Sequence, residues 1–384
     1  MVQRPFRASW FPSFPLSDVN ASQMPSTESS PPYILEIGEV SRIRHAFPET
    51  TEFFSTYVED SKQRKPPGSE LVSAMTLIPL ARRLLDARLD LVVVHVSPHG
   101  LVEGLVRTLF RRSALRGHLP LFRGLAQQLL RGAVKVPVAV LDLQDSPSIL
   151  KCNRYLLQKS TIYFKRELPP DRWRLLMHEG KTPTPRYRRL DRYQSALSRI
   201  RPLSLGLPDN LQAGRIPAMP PGGKDIDVFF AGRLKGSSTV RERGLDELMQ
   251  LQRQGVRIDI QDGGLSASEY LARCARAWLV WAPEGYGWDC FRPYEAAFAG
   301  SVPLISRQTI ERHEPLCDNE HCFNYDIEAG QLAQTVLRVL NDRDRLLKMA
   351  EAARAHVLRH HTPQALAHHI VSTTLAAGQR GPMA

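Results

Sequence analysis

The chain is predicted to fold as two doubly wound, parallel α/β units in tandem. Three observations carry that prediction. Continuous apolar, β-branched runs, above all "LDLVVVHV" (89–96), suit strands covered on both faces. These runs alternate with helical patterns in β-α-β order. A stretch rich in breakers, "GLPDNLQAGRIPAMPPGGKD" (206–225), divides the series and reads as a linker. At 384 residues the chain also exceeds the ~250–300 residues at which one core stops growing.

The elements follow in order. Residues 1–32 are Pro/Ser-rich without periodicity and read as a disordered tail. The first unit spans 33–205. "YILEIG" (33–38) is a short buried strand, 68–88 a helix and 89–96 a strand. Residues 100–112 are a helix, and 134–143 and 160–167 are strands. The second unit spans 226–364. It offers strands at 227–232, 256–263, 278–283, 302–306 and 322–326. Helices at 240–254 and 266–277 lie between them, the latter opened by a Ser266/Glu269 capping box. Three helical segments close the chain, and 365–384 reads as a terminal helix and tail that packs back on the first unit.

Composition narrows the function classes. No run approaches ~18 apolar residues, so no transmembrane helix is expected. The N-terminus lacks the apolar core of a secretory signal. Five scattered cysteines argue for a reducing compartment, hence a cytoplasmic protein. His313, Cys317, His321 and Cys322 cluster in "HEPLCDNEHC", but their spacing matches no common zinc pattern, so no metal is expected. The net charge of +12 favours polyanionic partners. The basic, amphipathic stretch 107–132 suits either peripheral contact with an anionic membrane or a core-facing helix with a solvated basic side.

In open parallel sheets ligands bind beyond the C-terminal ends of strands. "DVFFAGRLKG" ends its strand at Gly232, where the backbone can approach a ligand, with Arg233 and Lys235 as cations suited to a diphosphate. After "WLVWAP" comes a glycine-interrupted loop, Glu284-Gly285-Tyr286-Gly287, whose glycines would let it approach a sugar. A helix follows from Phe291 to Gly300, with Asp289 as its expected N-cap and Pro293 in its first turn. Arg292 and Glu295 share one side of its N-terminal end. That end favours an anion, and the carboxylate suits the vicinal hydroxyls of a ribose. A surface ion pair between the two is the plainer alternative.

The segments "DVFFAGR", "EYLARCARAWLVWAPEGYGWDCFRPYEAAFAGSVPLI" and "ARAHVLRHHT" resemble the nucleotide-sugar domain of GT-B glycosyltransferases. Exostosin-like and group 1-like members are the nearest in pattern. The resemblance covers about 225–365 and implies two Rossmann-like domains facing a cleft. It implies donor-diphosphate contacts for Arg233 and Lys235, and a ribose contact for Glu295. Many retaining members place two glutamates eight apart, whereas Glu284 and Glu295 are eleven apart (295 − 284 = 11), which leaves Glu284 and the stereochemical outcome open.

The first unit offers candidates for a catalytic base at its strand ends: His99 after "VVVHVSP", and Asp142 and Asp145 in "VLDLQD". His95, inside its strand, reads as a packed core residue. Lys165, Arg166 and Glu167 end another strand, suited to an acidic acceptor or the donor phosphates. The expected function is metal-independent transfer of a sugar from a nucleoside-diphosphate sugar, with no further cofactor and no D-x-D triplet placed to hold a metal. The acceptor stays open among glycan, lipid-linked saccharide, small molecule and nucleic acid. The alternative is a nucleic-acid-associated protein, including a glycosyltransferase acting on modified DNA bases.

Overall fold

The computed structural model describes residues 30–56, 68–96, 120–132, 134–177, 190–211, 223–234 and 238–380. The helix expected at 100–112 and the middle of the linker, 212–222, lie outside the described residues. So do most of the N-terminal tail and the basic residues 107–119.

Two all-parallel sheets organise the chain. The first contains β1 (Ile34–Gly38), β2 (Thr51–Ser55), β3 (Glu70–Leu71), β4 (Leu91–His95), β5 (Val138–Asp142), β6 (Ile162–Lys165) and β7 (Ile200–Pro202). Their order is β3-β2-β1-β4-β5-β6-β7. The second contains β8 (Ile226–Ala231), β9 (Ile258–Gln261), β10 (Ala277–Ala282), β11 (Val302–Ser306) and β12 (Phe323–Tyr325), in the order β12-β11-β10-β8-β9. Strand order therefore reverses between β1 and β4 in one sheet and between β8 and β10 in the other. Those two switch points are where a doubly wound sheet opens a crevice for a ligand.

The strands form because both faces are covered. In the first sheet Leu35, Val92, Val94 and Val140 point into one core, and Ile34, Leu91, Val93 and Ala139 into another. The second core is closed by the final helix, Pro363–Gln379, whose Leu366, Ala367, Ile370 and Val371 lie on the sheet. In the second sheet Phe229, Val280 and Ala282 pack on Tyr294, Ala297 and Phe298 of the helix Arg292–Phe298. Phe230, Leu279 and Trp281 pack on Leu248 and Leu251 of the helix Thr239–Arg253. Full burial of such a side chain stabilises by ~1.5–3 kcal/mol.

Several elements differ from the sequence reading. The expected helix over 68–88 is the short strand β3 followed by a helix of only Leu77–Arg83. The Thr76 hydroxyl explains the late start. It accepts from the Ser73 N–H at 2.7 Å and donates to the Leu71 carbonyl at 3.0 Å, holding the chain in a turn. Strands β2 and β7 were not anticipated. The Ser266/Glu269 capping box is present. Among the described residues no helix is long and apolar enough to cross a membrane.

Histidines gather where the loop after β11 meets the last two helices. His313 stacks on His369 with centroids 3.8 Å apart, and His356 and His361 both donate to the Glu314 carbonyl, at 2.9 and 2.7 Å. Burial holds His313 and His369 down to about 4. An unfolded chain binds protons at these sites below pH ~6.5, and the folded chain does so only near 4. Stability is therefore full above pH ~6.5 and declines as the pH falls toward 4. Urea unfolding at stepped pH should show the midpoint dropping through that window, with a shallower drop for His369→Leu.

Candidate active site

The glycine loop that follows β10 is held from the other half of the molecule. Glu167, 1% exposed, accepts the backbone N–H groups of Trp288 and Asp289, both at 3.0 Å. Arg166 donates to the Asp289 carbonyl and lies 3.4 Å from Glu167. Burial pushes the Glu167 carboxyl up, and the two N–H groups and Arg166 pull it back. A Cβ on Gly287 would stand 2.5 Å from Glu167 Oε1, so only glycine permits this approach.

Asp289 extends the clasp. Its carboxylate accepts from the Leu205 N–H at 2.7 Å and from the Tyr294 hydroxyl at 2.8 Å. It is not the N-cap of the next helix, whose cap residue is Phe291 with no side-chain bond. The Leu205 N–H from the other half and the Tyr294 hydroxyl occupy its carboxylate oxygens instead.

The helix Arg292–Phe298 starts at the switch point of the second sheet, with proline in its first turn. A cavity of about 480 Å³ lies there, lined among others by Gly232, Tyr270, Phe291, Arg292 and Glu295. Arg292 and Glu295 do not pair with each other. Arg292 donates to the Ala231 carbonyl at 3.3 Å and lies 4.8 Å from the Phe230 ring centre. Gly232 has φ +151°, and a Cβ there would sit 2.8 Å from Arg292 Nη2. Burial raises the Glu295 pKa, opposed by Arg292. The buried Tyr270 hydroxyl, a hydrogen-bond donor beside that carboxyl, also holds its pKa down.

Other expected residues take different places. Arg233 is exposed at the end of β8, while Lys235 and His99 lie outside the described residues. Gly285, Tyr286 and Gly287 line a separate cavity of about 210 Å³ with Glu284, whose carboxylate accepts from the Ser306 hydroxyl at 2.6 Å. Tyr286 is 73% exposed. Asp142 is 1% exposed, accepts from the Tyr163 hydroxyl at 2.7 Å and pairs with the fully buried Lys165 at 3.2 Å. Asp145 is half exposed, 2.5 Å from Arg166, and borders both the small cavity and a larger one of about 600 Å³. Lys165 and Glu167, read as ligand contacts, are buried structural partners.

The sequence does contain two D-x-D triplets, and both are engaged. Asp225 pairs with Arg276 at 2.5 Å, and Asp227 pairs with Arg257 and Arg343, each at 2.8 Å. Asp342 accepts the Arg345 N–H at 3.0 Å as a helix N-cap. Cys317, Glu320 and His321 bring one ligand atom each within 4.8 Å of one another. The His321 Nδ1, however, accepts the Cys317 N–H at 3.2 Å.

The reading missed His95. It lines the 600 Å³ cavity at the switch point of the first sheet and bonds to the buried Glu36 at 3.0 Å. Glu36 was the available signal: a carboxylate inside the apolar run "YILEIG" must find partners.

Gly287→Ala is expected to break the Glu167 clasp. Losing one or both of its buried bonds should cost about 1–3 kcal/mol in a denaturant melt. A variant as stable as the wild type would show that the loop does not depend on it.

No protein-family model and no curated protein sequence matches the chain. Solved structures do. An α,α-trehalose-phosphate synthase (UDP-forming) from Burkholderia vietnamiensis is similar with a TM-score of 0.53 at 11% identity, over 92% of this chain and 99% of its own. An α,α-trehalose 6-phosphate synthase from Burkholderia multivorans gives 0.52 at 11%, over 91% and 97%. An α-glucosyltransferase solved with UDP and a 13-mer DNA containing an HMU base gives 0.51 at 10%, over 90% and 100%. At such identities the likeness speaks for architecture, and it agrees with the two sheets and the cleft between them: the chain has the GT-B fold.

Proposed function

We propose that this chain is a glycosyltransferase that moves a sugar from a nucleoside-diphosphate sugar to an acceptor hydroxyl. The observation that carries the reading is the crevice at the second switch point. There a half-buried carboxylate and an unpaired guanidinium stand in the first turn of one helix, beside a glycine that keeps the backbone open. Glu295 accepts hydrogen bonds from the vicinal hydroxyls of the ribose.

Arg292, with Arg233 just beyond the end of β8, meets the diphosphate, and Lys235, two residues further along the sequence, joins them in this reading. These cations stabilise the leaving group as its charge develops. They serve where other phosphate sites use a divalent metal, so a chelator is expected to leave turnover unchanged. The one fold relative above that was solved with UDP supports a uridine nucleotide as the first donor to try. It also holds DNA with a modified base, and this chain carries +12. A modified-DNA acceptor is therefore the second reading, distinguished by a steep salt dependence of DNA binding.

Titration of the purified protein with UDP and GDP should show saturable binding. Glu295→Ala and Arg292→Ala should each weaken it about tenfold or more, the loss of a charge-assisted contact. Affinity should also fall as the pH drops through the raised pKa of Glu295, because the protonated group accepts fewer bonds. Absence of binding to either nucleotide, with Glu295→Ala indistinguishable from wild type, overturns the reading.

A further inference from the structure

Two segments carry the chain between its halves, and both are bonded where they cross. In the first, Leu203 packs in the core of the first sheet and Leu207 in that of the second. Between them the Ser204 hydroxyl donates to the His313 carbonyl at 3.0 Å, and the Leu205 N–H to Asp289 at 2.7 Å. In the second, Val357 belongs to the core of the second sheet and Leu366 to that of the first, with the buried His361 between them. The crossings also touch. The Leu207 N–H donates to the His361 carbonyl at 2.8 Å. Gly206, at φ +66°, has the freedom a hinge needs, but a Cβ there would stand 2.5 Å from that carbonyl oxygen. Its backbone is packed rather than loose.

Two crossings alone would let the halves swing about the line that joins them. A third set of bonds lies outside both. The residues after β6 supply Arg166, Glu167 and Leu168 from the first half. The loops after β10 and β11 supply Trp288, Asp289 and Glu311 from the second. Besides the Glu167 and Arg166 bonds described above, the Glu311 N–H donates to the Leu168 carbonyl at 2.8 Å in a single antiparallel bridge. Arg172 pairs with the Glu311 carboxylate at 2.7 Å, but that pair is partly exposed and contributes little. The weight rests on buried Glu167: a swing would draw both its oxygens off the N–H groups that fill them. The cavities at the two switch points already measure about 600 and 480 Å³, the size of small-molecule sites, so no swing is needed to assemble them.

We infer that this joint is fixed: the halves move as one body, and the cleft is preset rather than closed by the arrival of a nucleotide. Glu167 and Asp289 are the positioning residues of the joint. Asp289 also reaches the Tyr294 hydroxyl, on the helix that carries Arg292 and Glu295, so the joint sets that helix against the first half. The fixed joint stands apart from what the cleft binds; only its consequence for the nucleotide rests on the glycosyltransferase reading above.

Amide hydrogen exchange of the full chain without nucleotide tests the joint. The N–H groups of Leu205, Leu207, Trp288, Asp289 and Glu311 hold it together. They should exchange within about threefold of the rates in β4 and β8, because only global unfolding frees them. Exchange about tenfold or more faster than in those strands shows that the joint opens by itself and overturns the inference. Small-angle scattering then tests the consequence: saturating UDP should leave the radius of gyration unchanged, and a decrease overturns the preset cleft. If UDP does not bind, the donor reading fails while the exchange rates still decide the joint.

Glu167→Gln keeps the shape of the side chain and turns one acceptor into a donor facing an N–H. Exchange at Trp288, Asp289 and Glu311 should then rise about tenfold or more relative to β4 and β8. This variant should also gain a UDP-dependent decrease in radius that the wild type lacks, which a general loss of stability does not produce. Unchanged exchange and an unchanged radius remove Glu167 from the joint.

Discussion

The position of the glycine loop after β10 depends on one buried carboxylate. Glu167 reaches from the end of β6 to two successive N–H groups of the glycine loop in the other half. A carboxylate taken out of water is costly unless its oxygens are filled, and here both oxygens are. The arrangement ties the ends of two sheets together at the place where their crevices meet. Asp289, delivered by the same loop, then fixes Leu205 and Tyr294, and Arg312 donates to the Tyr294 hydroxyl at 2.9 Å. Loop, helix and inter-half segment are thus one bonded unit.

Two crevices with opposite electrostatics follow from this frame. In the first sheet the arginines near the cavity are spent on Asp209, Asp145 and Glu167. In the second, Arg292 meets a carbonyl, the Cys290 sulfur and an aromatic face, and Arg241 nearby is lowered in pKa by burial and by Arg292 itself. Two guanidiniums close enough to repel are held there, and neither forms an ion pair with a carboxylate. An anion bound there would relieve that repulsion.

Much of the fold was legible because strands covered on both faces leave continuous apolar runs. β4, β8, β10 and β11 were visible for that reason. β2, β3 and β7 were not, since "TEFFS", "EL" and "IRP" hold too few apolar residues to show a period. Arg292 and Glu295 were legible as a pair because helical spacing is local. His95 was misread because its partner, Glu36, lies 59 residues earlier, and no local pattern pairs them.

The sequence by itself determined the alternation of strand and helix, the glycine loop and the residue types at each strand end. Those follow from burial, backbone freedom and helical period, which act over a few residues. Only the tertiary structure decided which charges are spent and which are open. Asp142 and Lys165 neutralise each other inside the first sheet, Glu167 clasps a loop more than 120 residues away, and Glu284 and Glu295 face different cavities. The reason is physical: a charged side chain's role is set by what fills its hydrogen bonds, and parallel sheets bring those partners from distant parts of the chain.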